Sequence, residues 1–427
     1  MLLNFTVENF RSFYERKTLT LEAESLKELD DNVISNNSYE LVKTAGIYGA
    51  NSSGKSNLIY ALGCMRYIIL SSVKLNDNED LEYDPFLLFK TDDSISKATP
   101  TTFEIQFLIS EYCYRYGFRY SSDRILDEWL FCKTTPRSKE NYLFIRTEEG
   151  IGVNEHLFEE GIGLENKLND NRLFLSLCQQ LGGSISKKIY FWFTDKLNIV
   201  SGLNNSGYND FSKKFFHKHM DNSEKALAFF EKIKLGFNRI KTSEKNIQLT
   251  DSSNVSDELK SVWGKLKGKK RIEVKAEHNV YDIGGNVVGK KMFDFDDRES
   301  DGTRKLFDMS GPIFTTLFDG SVLVIDELDA KMHPLISQQI VKLFNDKSTN
   351  PNDAQLIFST HDTHLLSSRM LRRDQIWFTE KNNKEQTDLY RLMDLILPDG
   401  TKPRNDSNYE KNYIAGRYGA IPYILND

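Results

Sequence analysis

Eight consecutive residues carry the densest chemistry in the chain: Gly49-Ala50-Asn51-Ser52-Ser53-Gly54-Lys55-Ser56, the spacing of a phosphate-binding loop. Small side chains let successive backbone N–H groups curl around a β-phosphate, and a helix starting near Lys55 adds its positive end. Lys55 is placed to reach the β- and γ-phosphates, and the Ser56 hydroxyl to bind Mg²⁺. Gly49, Asn51, Ser52, Ser53, Gly54, Lys55, Ser56 and the adjoining Asn57 are therefore the candidate nucleotide-binding residues. A glycine-rich turn can match such a pattern by chance. Here an apolar run, Ala45–Tyr48, precedes it, and Leu58, Ile59, Leu62 and Met65 follow at helical spacing, which is the strand–loop–helix setting the motif requires.

Two further segments read as buried strands with chemistry at their carboxyl ends. Ser321-Val-Leu-Val-Ile-Asp326-Glu327-Leu328-Asp329 is an apolar run closed by acids, at the edge where open α/β sheets bind ligands. Asp326 would join the Mg²⁺ shell and Glu327 would polarise an attacking water. Alone, two acids at a strand tip could be a solvated turn. Gln355-Leu-Ile-Phe-Ser-Thr360-His361-Asp362 ends in a histidine. A single histidine is usually structural, but one following the Asp-Glu strand is placed to contact a γ-phosphate. Catalysis is thus expected to rest on Glu327, His361 and Lys55, with Ser56 and Asp326 on the metal.

The elements that must position these groups follow from periodicity. Between residues 100 and 147 apolar and polar residues alternate, through Phe103, Ile105, Phe107 and Ile109 and then Tyr112, Tyr114, Tyr116, Phe118 and Tyr120, an antiparallel meander whose aromatic stripe reads as core rather than a stacking surface. Leu173, Leu177, Cys178 and Leu181 before Gly182-Gly183 predict a helix with a glycine stop. Residues 225–235 predict another, with Leu227, Phe230 and Ile233 inward. Residues 201–209 and 250–257 read as loops. Residues 272–295 predict a hairpin turning at Gly284-Gly285-Asn286, and helix–strand alternation continues to about 395, the pattern of a parallel sheet.

Composition narrows the class. The chain has 427 residues, is 39% hydrophobic and carries a net charge of −6, so it is no general nucleic-acid binder. The local exception is Lys265, Lys267, Lys269, Lys270 and Arg271, a run that is either a solvated face or a phosphate contact. Cys64, Cys113, Cys132 and Cys178 are scattered without metal or disulfide spacing. No run approaches the ~18–20 consecutive apolar residues of a spanning helix, and residues 1–11 read as a strand rather than a signal peptide. A cytoplasmic protein with no membrane partner is the expectation.

The three site segments, with Asn9-Phe10-Arg11-Ser12-Phe13 and the continuation through His333-Pro334, resemble the ABC ATPase superfamily in its SMC/RecF-like branch. The resemblance implies an α/β fold: an ABC-type ATPase head with a mixed sheet, an antiparallel β meander and an inserted helical region. It implies ATP and Mg²⁺ as ligands, and a signature loop that reaches a partner's γ-phosphate across a dimer. Glu299-Ser300-Asp301-Gly302-Thr303 fits that loop, keeping Ser300 and Gly302 while departing from the commoner Leu-Ser-Gly-Gly form at Glu299 and Asp301. Asp329 would lie near the shared surface. Gln106 is not a convincing counterpart of the family's coupling glutamine. The expected division is an N-terminal lobe over 1–160, a helical insert over 161–265 and a C-terminal lobe over 266–427.

A narrower resemblance, through Pro100-Thr-Thr-Phe-Glu104, the Glu-Ser-Asp-Gly-Thr loop and Tyr413-Ile-Ala-Gly416-Arg417-Tyr-Gly419-Ala-Ile-Pro422, is to RloA-type AAA/ABC ATPases, including subunits of AbiL-like and PARIS-like antiphage systems. It implies a slow ATPase, a homodimer or higher oligomer, and a separately encoded effector such as a TOPRIM- or RloB-like nuclease. Asp294-Phe-Asp296 lies immediately before the signature loop, so it reads as a loop or ATP-dimer surface rather than a nuclease site. The competing function is a RecF/SMC-like ATPase gripping DNA in repair or maintenance, which needs a continuous basic groove. A transporter's energy-coupling domain is disfavoured by the long insert between Lys55 and Ser300, and a non-enzymatic nucleotide module by the presence of Glu327.

Overall fold

The computed structural model describes residues 1–36, 38–76, 79–86, 99–204, 207–246, 270–367 and 369–422. Lys265, Lys267 and Lys269 of the basic run and the expected loop over 250–257 lie outside these residues. The chain divides into two compact units, one of Met1–Leu203, Asp319–Ala330 and Ser337–Asp427, the other of Asn204–Phe318 and Lys331–Ile336.

The first unit opens with β1 (Leu2–Glu8) and β2 (Lys17–Thr20), the hairpin β3 (Val33–Asn36) and β4 (Tyr39–Val42), then β5 (Thr44–Tyr48) and helix α1 (Lys55–Ser71). A meander follows: β6 (Thr101–Ile109), β7 (Tyr112–Tyr120), β8 (Ile125–Lys133), β9 (Asn141–Thr147) and β10 (Gly150–Val153). It joins β1 and β2 in an antiparallel sheet of order β10-β9-β8-β7-β6-β1-β2. Helices α2 (Phe174–Gln180) and α3 (Ser184–Phe191) lead to β11 (Leu197–Ser201), with Gly182 at φ +101° providing the expected stop after α2.

The second unit contributes α4 (Asn209–His217), α5 (Ser223–Ile233), β12 (Arg239–Asn246), β13 (Lys270–Tyr281), β14 (Val287–Asp294), α6 (Phe295–Arg298) and α7 (Asp301–Asp319). The chain then completes the first unit's other sheet with β15 (Val322–Asp326), α8 (Pro334–Asn345), β16 (Gln355–Ser359), β17 (Ile376–Lys381) and β18 (Thr387–Arg391), and ends its described part with α9 (Tyr409–Ile414). That sheet has the order β11-β15-β16-β5-β17-β18 and is parallel except for β18. The architecture is the mixed α/β one expected.

Helix α1 explains how both sheets serve one site. Its Leu58, Ile59, Ala61, Leu62, Met65, Ile68 and Ile69 pack into one core with Phe5, Val7, Phe103, Ile105 and Phe107 of the antiparallel sheet and Val322, Val324 and Ile357 of the parallel one. A helix held on two sides must be apolar over most of its circumference. With the turn running to Lys74 it is long and apolar enough to cross a membrane by length and composition, and this two-sided packing accounts for that apolarity. Tyr114, Tyr116, Phe118 and Tyr120 are buried while Tyr112, at the start of β7, is exposed, so the aromatic stripe is core beyond its first residue.

The second unit has its own aromatic centre, with ring centroids 5.0 Å apart for Phe216 and Phe307 and 4.8 Å for Phe295 and Phe307. Helix α5 buries Ala226, Phe229 and Phe230, turning its inward face by about one residue from the Leu227/Phe230/Ile233 expectation, because Phe229 contacts Phe314. In the first sixty residues β3 and β4 form a hairpin that apolar periodicity did not reveal; the expected hairpin in the second unit turns at Gly284-Gly285-Asn286 as read, with Asp282 accepting from the Asn286 N–H at 2.8 Å.

Candidate functional site

The phosphate-binding loop leaves β5 at Tyr48 and enters α1 at Lys55. It turns through left-handed backbone at Ser52 (φ +64°) and Gly54 (φ +113°). A Cβ at Gly54 would run into the Thr387 side chain, and one at Gly49 into Thr379, so close approach as well as φ demands glycine. Behind the loop, Ser53 Oγ and Thr379 Oγ1 share a 2.6 Å hydrogen bond, and Thr387 Oγ1 donates to the Ser53 carbonyl at 2.8 Å. Ser12 Oγ lies 2.8 Å from Thr387 Oγ1 and accepts from Asn57 at 2.8 Å. Asn57 is therefore spent on the loop's backing, and the Ser53 side chain faces the same way. Asn51 and Ser52 stand exposed at the crest.

No side chain caps the first turn of α1, so its N–H groups remain donors for an anion. The Lys55 ammonium lies across its own loop, donating to the Gly49 and Ala50 carbonyls at 2.8 and 3.0 Å. Burial lowers its pKa to about 8, against the opposing pull of Asp326, Glu327 and Asp329. A desolvated ammonium held only by carbonyls favours an arriving polyphosphate.

Opposite this loop, Asp326 ends β15. Its carboxylate accepts from Ser56 Oγ at 3.1 Å and from Ser359 Oγ at 2.6 Å. Ser359 in turn accepts from the Glu327 N–H at 2.8 Å. Ser359 is a residue the sequence reading passed over, although Ile325 pairs with Phe358 in the parallel ladder and this register puts Ser359 beside Asp326. Glu327 sits in left-handed backbone at φ +57°, a conformation costly for a residue with a side chain. It is held there from the other side by β11: the Gly202 N–H donates to the Asp326 carbonyl at 2.5 Å, and a Cβ at Gly202 would collide with the Glu327 carbonyl. Gly202 is the second missed residue, since nothing in its own neighbourhood signals the contact.

Asp329 accepts from Thr360 Oγ1 at 2.7 Å and faces the His361 N–H at 3.3 Å. Partial burial and the Lys55 charge lower the His361 pKa, with the neighbouring carboxylates opposing, so the imidazole is neutral near pH 7. Among the described residues no group of three or more His, Cys, Asp or Glu side chains could cage a metal. Mg²⁺ takes one or two protein oxygens and completes its shell from water and phosphate. Ser56 and Asp326, already within hydrogen-bond distance, are the pair that fits it.

The proposed signature loop belongs to the second unit. Ser300 accepts from the Thr303 N–H at 3.2 Å and so caps α7. Glu299 meets His278 Nε2 at 2.7 Å. Asp301 is bound by Arg304 and, at 3.4 Å, by Lys331. Gly302 has a reason too, since a Cβ there would lie 2.8 Å from the Lys331 carbonyl. Asp294 accepts from the Asp296 N–H at 3.1 Å and starts α6, while Asp296 pairs with Lys213 at 2.8 Å, so this Asp-x-Asp is a capped turn. Gln106 lies within β6 and accepts from Asn4 at 3.0 Å.

Comparison with known proteins adds a family. No curated protein matches the chain. Among solved structures, the SmcHead bound to the C-winged helix domain of ScpA aligns at a TM-score of 0.39 and 14% identity, over 92% of this chain and 97% of that one. The family model described as "AAA domain, putative AbiEii toxin, Type IV TA system" matches residues 45–176 and 181–367. These ranges take in the phosphate-binding loop, Ser300, the Asp326–Glu327 strand tip and His361, and the chain belongs to that family of AAA-domain ATPases.

Proposed function

We propose that the chain is an ATP-binding and hydrolysing sensor or scaffold subunit of a prokaryotic antiphage, abortive-infection system, working in the cytoplasm. It closes as a homodimer or higher oligomer around ATP and controls a separate effector, of which a nuclease is the leading type. The observation that carries the ATPase reading is the Ser56–Asp326–Ser359 hydrogen-bonded set, which ties the phosphate loop to the acidic strand tip. The family's description as a putative toxin of a type IV system supports the defence setting.

In this reading the α1 N-terminus and Lys55 bind the phosphates, positioning them and offsetting their charge. A Mg²⁺ ion at Ser56 and Asp326 supplies Lewis-acid polarisation of the phosphate oxygens when bound. Glu327, fixed by Ser359 and Gly202, orients the attacking water. Neutral His361 donates a hydrogen bond toward the γ-phosphate. Ser300 and Gly302 serve a partner's nucleotide, which makes the site composite.

The test is the solution mass with and without ATP–Mg²⁺, for wild type and Glu327→Gln, by light scattering. ATP-dependent association that the variant traps is the expected result. A monomer under every condition would remove the role given to Ser300.

A further inference from the structure

The carboxy-terminal block Tyr413 to Pro422 has no role in the site so far, and it lies outside the residues matched by the family model. Its glycines have a physical reason. After α9 the chain reverses through Gly416 (φ +74°) and Gly419 (φ +69°). A Cβ at Gly419 would press on Glu380 and on the Tyr390 hydroxyl, and one at Gly416 on Ile421. The Tyr413 hydroxyl donates to the Ala420 carbonyl at 3.0 Å, and the Tyr390 hydroxyl to that of Tyr418 at 2.9 Å. The segment is thus a compact knot rather than a trailing end.

The knot is seated on the hairpin that backs the phosphate loop. Tyr413 stacks on Phe378 with centroids 5.5 Å apart, and Tyr418 lies 6.0 Å from the same ring. Phe378 and Thr379 alternate along β17, so they point to opposite faces, and Thr379 is the residue bonded to Ser53. Tyr413 also meets Tyr48, the last residue before Gly49, at 6.4 Å. Helix α9 reaches the loop after β16 through a hydrogen bond: Thr363 Oγ1 donates to Glu410 Oε1 at 2.9 Å.

That loop carries His361. Asp329 holds it at one end through Thr360 and the His361 N–H. Asp362 stiffens its turn by accepting from the His364 N–H at 3.0 Å. At the other end Glu410 accepts from Thr363 Oγ1, and Gln338 Nε2 donates to the His364 carbonyl at 3.2 Å. We infer that Glu410 is a positioning residue for His361, acting through Thr363, and that the carboxy-terminal knot is the seat that holds it there. The inference rests on the γ-phosphate role given to His361 above.

Glu410→Ala, Thr363→Val and Glu410→Gln test it, with His361→Ala alongside. Glu410→Ala and Thr363→Val should each lower kcat by roughly 10-fold, the order of effect of a small misplacement of a catalytic group. KM for ATP should stay within about twofold, because Lys55 and the α1 N-terminus, which hold the phosphates in the ground state, are untouched. Glu410→Gln keeps an acceptor oxygen and should restore the rate, and the double variant should be no slower than either single one. Hydrogen exchange at the amides of His361 to His364 should quicken in both single variants. Unchanged exchange overturns the inference, as does an unchanged kcat where His361→Ala is slow. A lowered thermal midpoint with rate and exchange unaltered identifies a merely structural bond and overturns it too. If His361→Ala turns over normally, the role of His361 fails, and the exchange rates still decide whether Glu410 holds the loop.

Discussion

At the scale of single residues, the free protein keeps Lys55 in an environment that penalises its charge. Burial brings its pKa to about 8, whereas bound phosphates would raise it again. Nucleotide binding above pH 8 must therefore take up a proton, and affinity must fall as pH rises. Taking pH 7 as reference, the affinity should drop about 4-fold by pH 8.5 and about 30-fold by pH 9.5, approaching tenfold per unit until the bound-state pKa is reached. Fluorescent-nucleotide titration at these three pH values checks it, and an affinity flat to pH 9.5 would mean that Lys55 does not carry the phosphate charge. The identity of Lys55 was legible because the loop pattern is contiguous and its spacing is fixed by the phosphate. Ser359 was not, because its role comes from a ladder register between strands some thirty residues apart, which a linear reading does not supply.

At the scale of elements, the site depends on strands that carry no motif. The β17–β18 hairpin pins the phosphate loop through Thr379 and Thr387, and β11 pins Glu327 through Gly202. The sheet itself was readable, because fully buried parallel strands appear as unbroken apolar runs such as Val322–Ile325 and Leu356–Phe358. The β3–β4 hairpin was not, since each strand is only four residues long, too short to show a period, and Ile34, Tyr39 and Leu41 face a small separate core with Leu3, Leu108 and Cys113. Gly202→Ala isolates the contribution of β11. The added methyl meets the Glu327 carbonyl, and Glu327 already occupies a strained conformation, so it is the group that moves. Turnover should fall by about 10- to 100-fold, while nucleotide affinity stays within about twofold because the phosphate loop is not touched. Equal losses in kcat and affinity, measured by steady-state kinetics beside nucleotide titration, would show instead that the whole strand tip had collapsed.

At the scale of the molecule, charge separates the sensor reading from that of a DNA-gripping ATPase. The protein carries a net charge of −6, and gripping duplex DNA would require a local surface that overcomes it. In the second unit a cavity of about 690 Å³ gathers Lys213, Lys214, Lys218, Lys270 and Arg271. The same cavity is lined by Asp210, Glu244, Glu273, Asp294, Asp296 and Asp297. Lys270 is bound to Glu244 at 2.8 Å and Arg271 to Glu273 at 2.9 Å, so much of that positive charge is already answered within the protein. Each phosphate neutralised contributes about −0.9 to the slope of log affinity against log salt. Among the described residues this surface offers few uncommitted cations, so it should give a slope no steeper than about −3 and a Kd no tighter than about 10 μM near physiological salt. Fluorescence anisotropy on a short duplex, with ATP–Mg²⁺ and with Glu327→Gln to hold the ATP-bound state, reads both quantities. Submicromolar binding with a slope steeper than about −5 would require several phosphate contacts and would transfer the protein to the DNA-maintenance class. Weak, shallow binding leaves a protein partner as the reader of the nucleotide state.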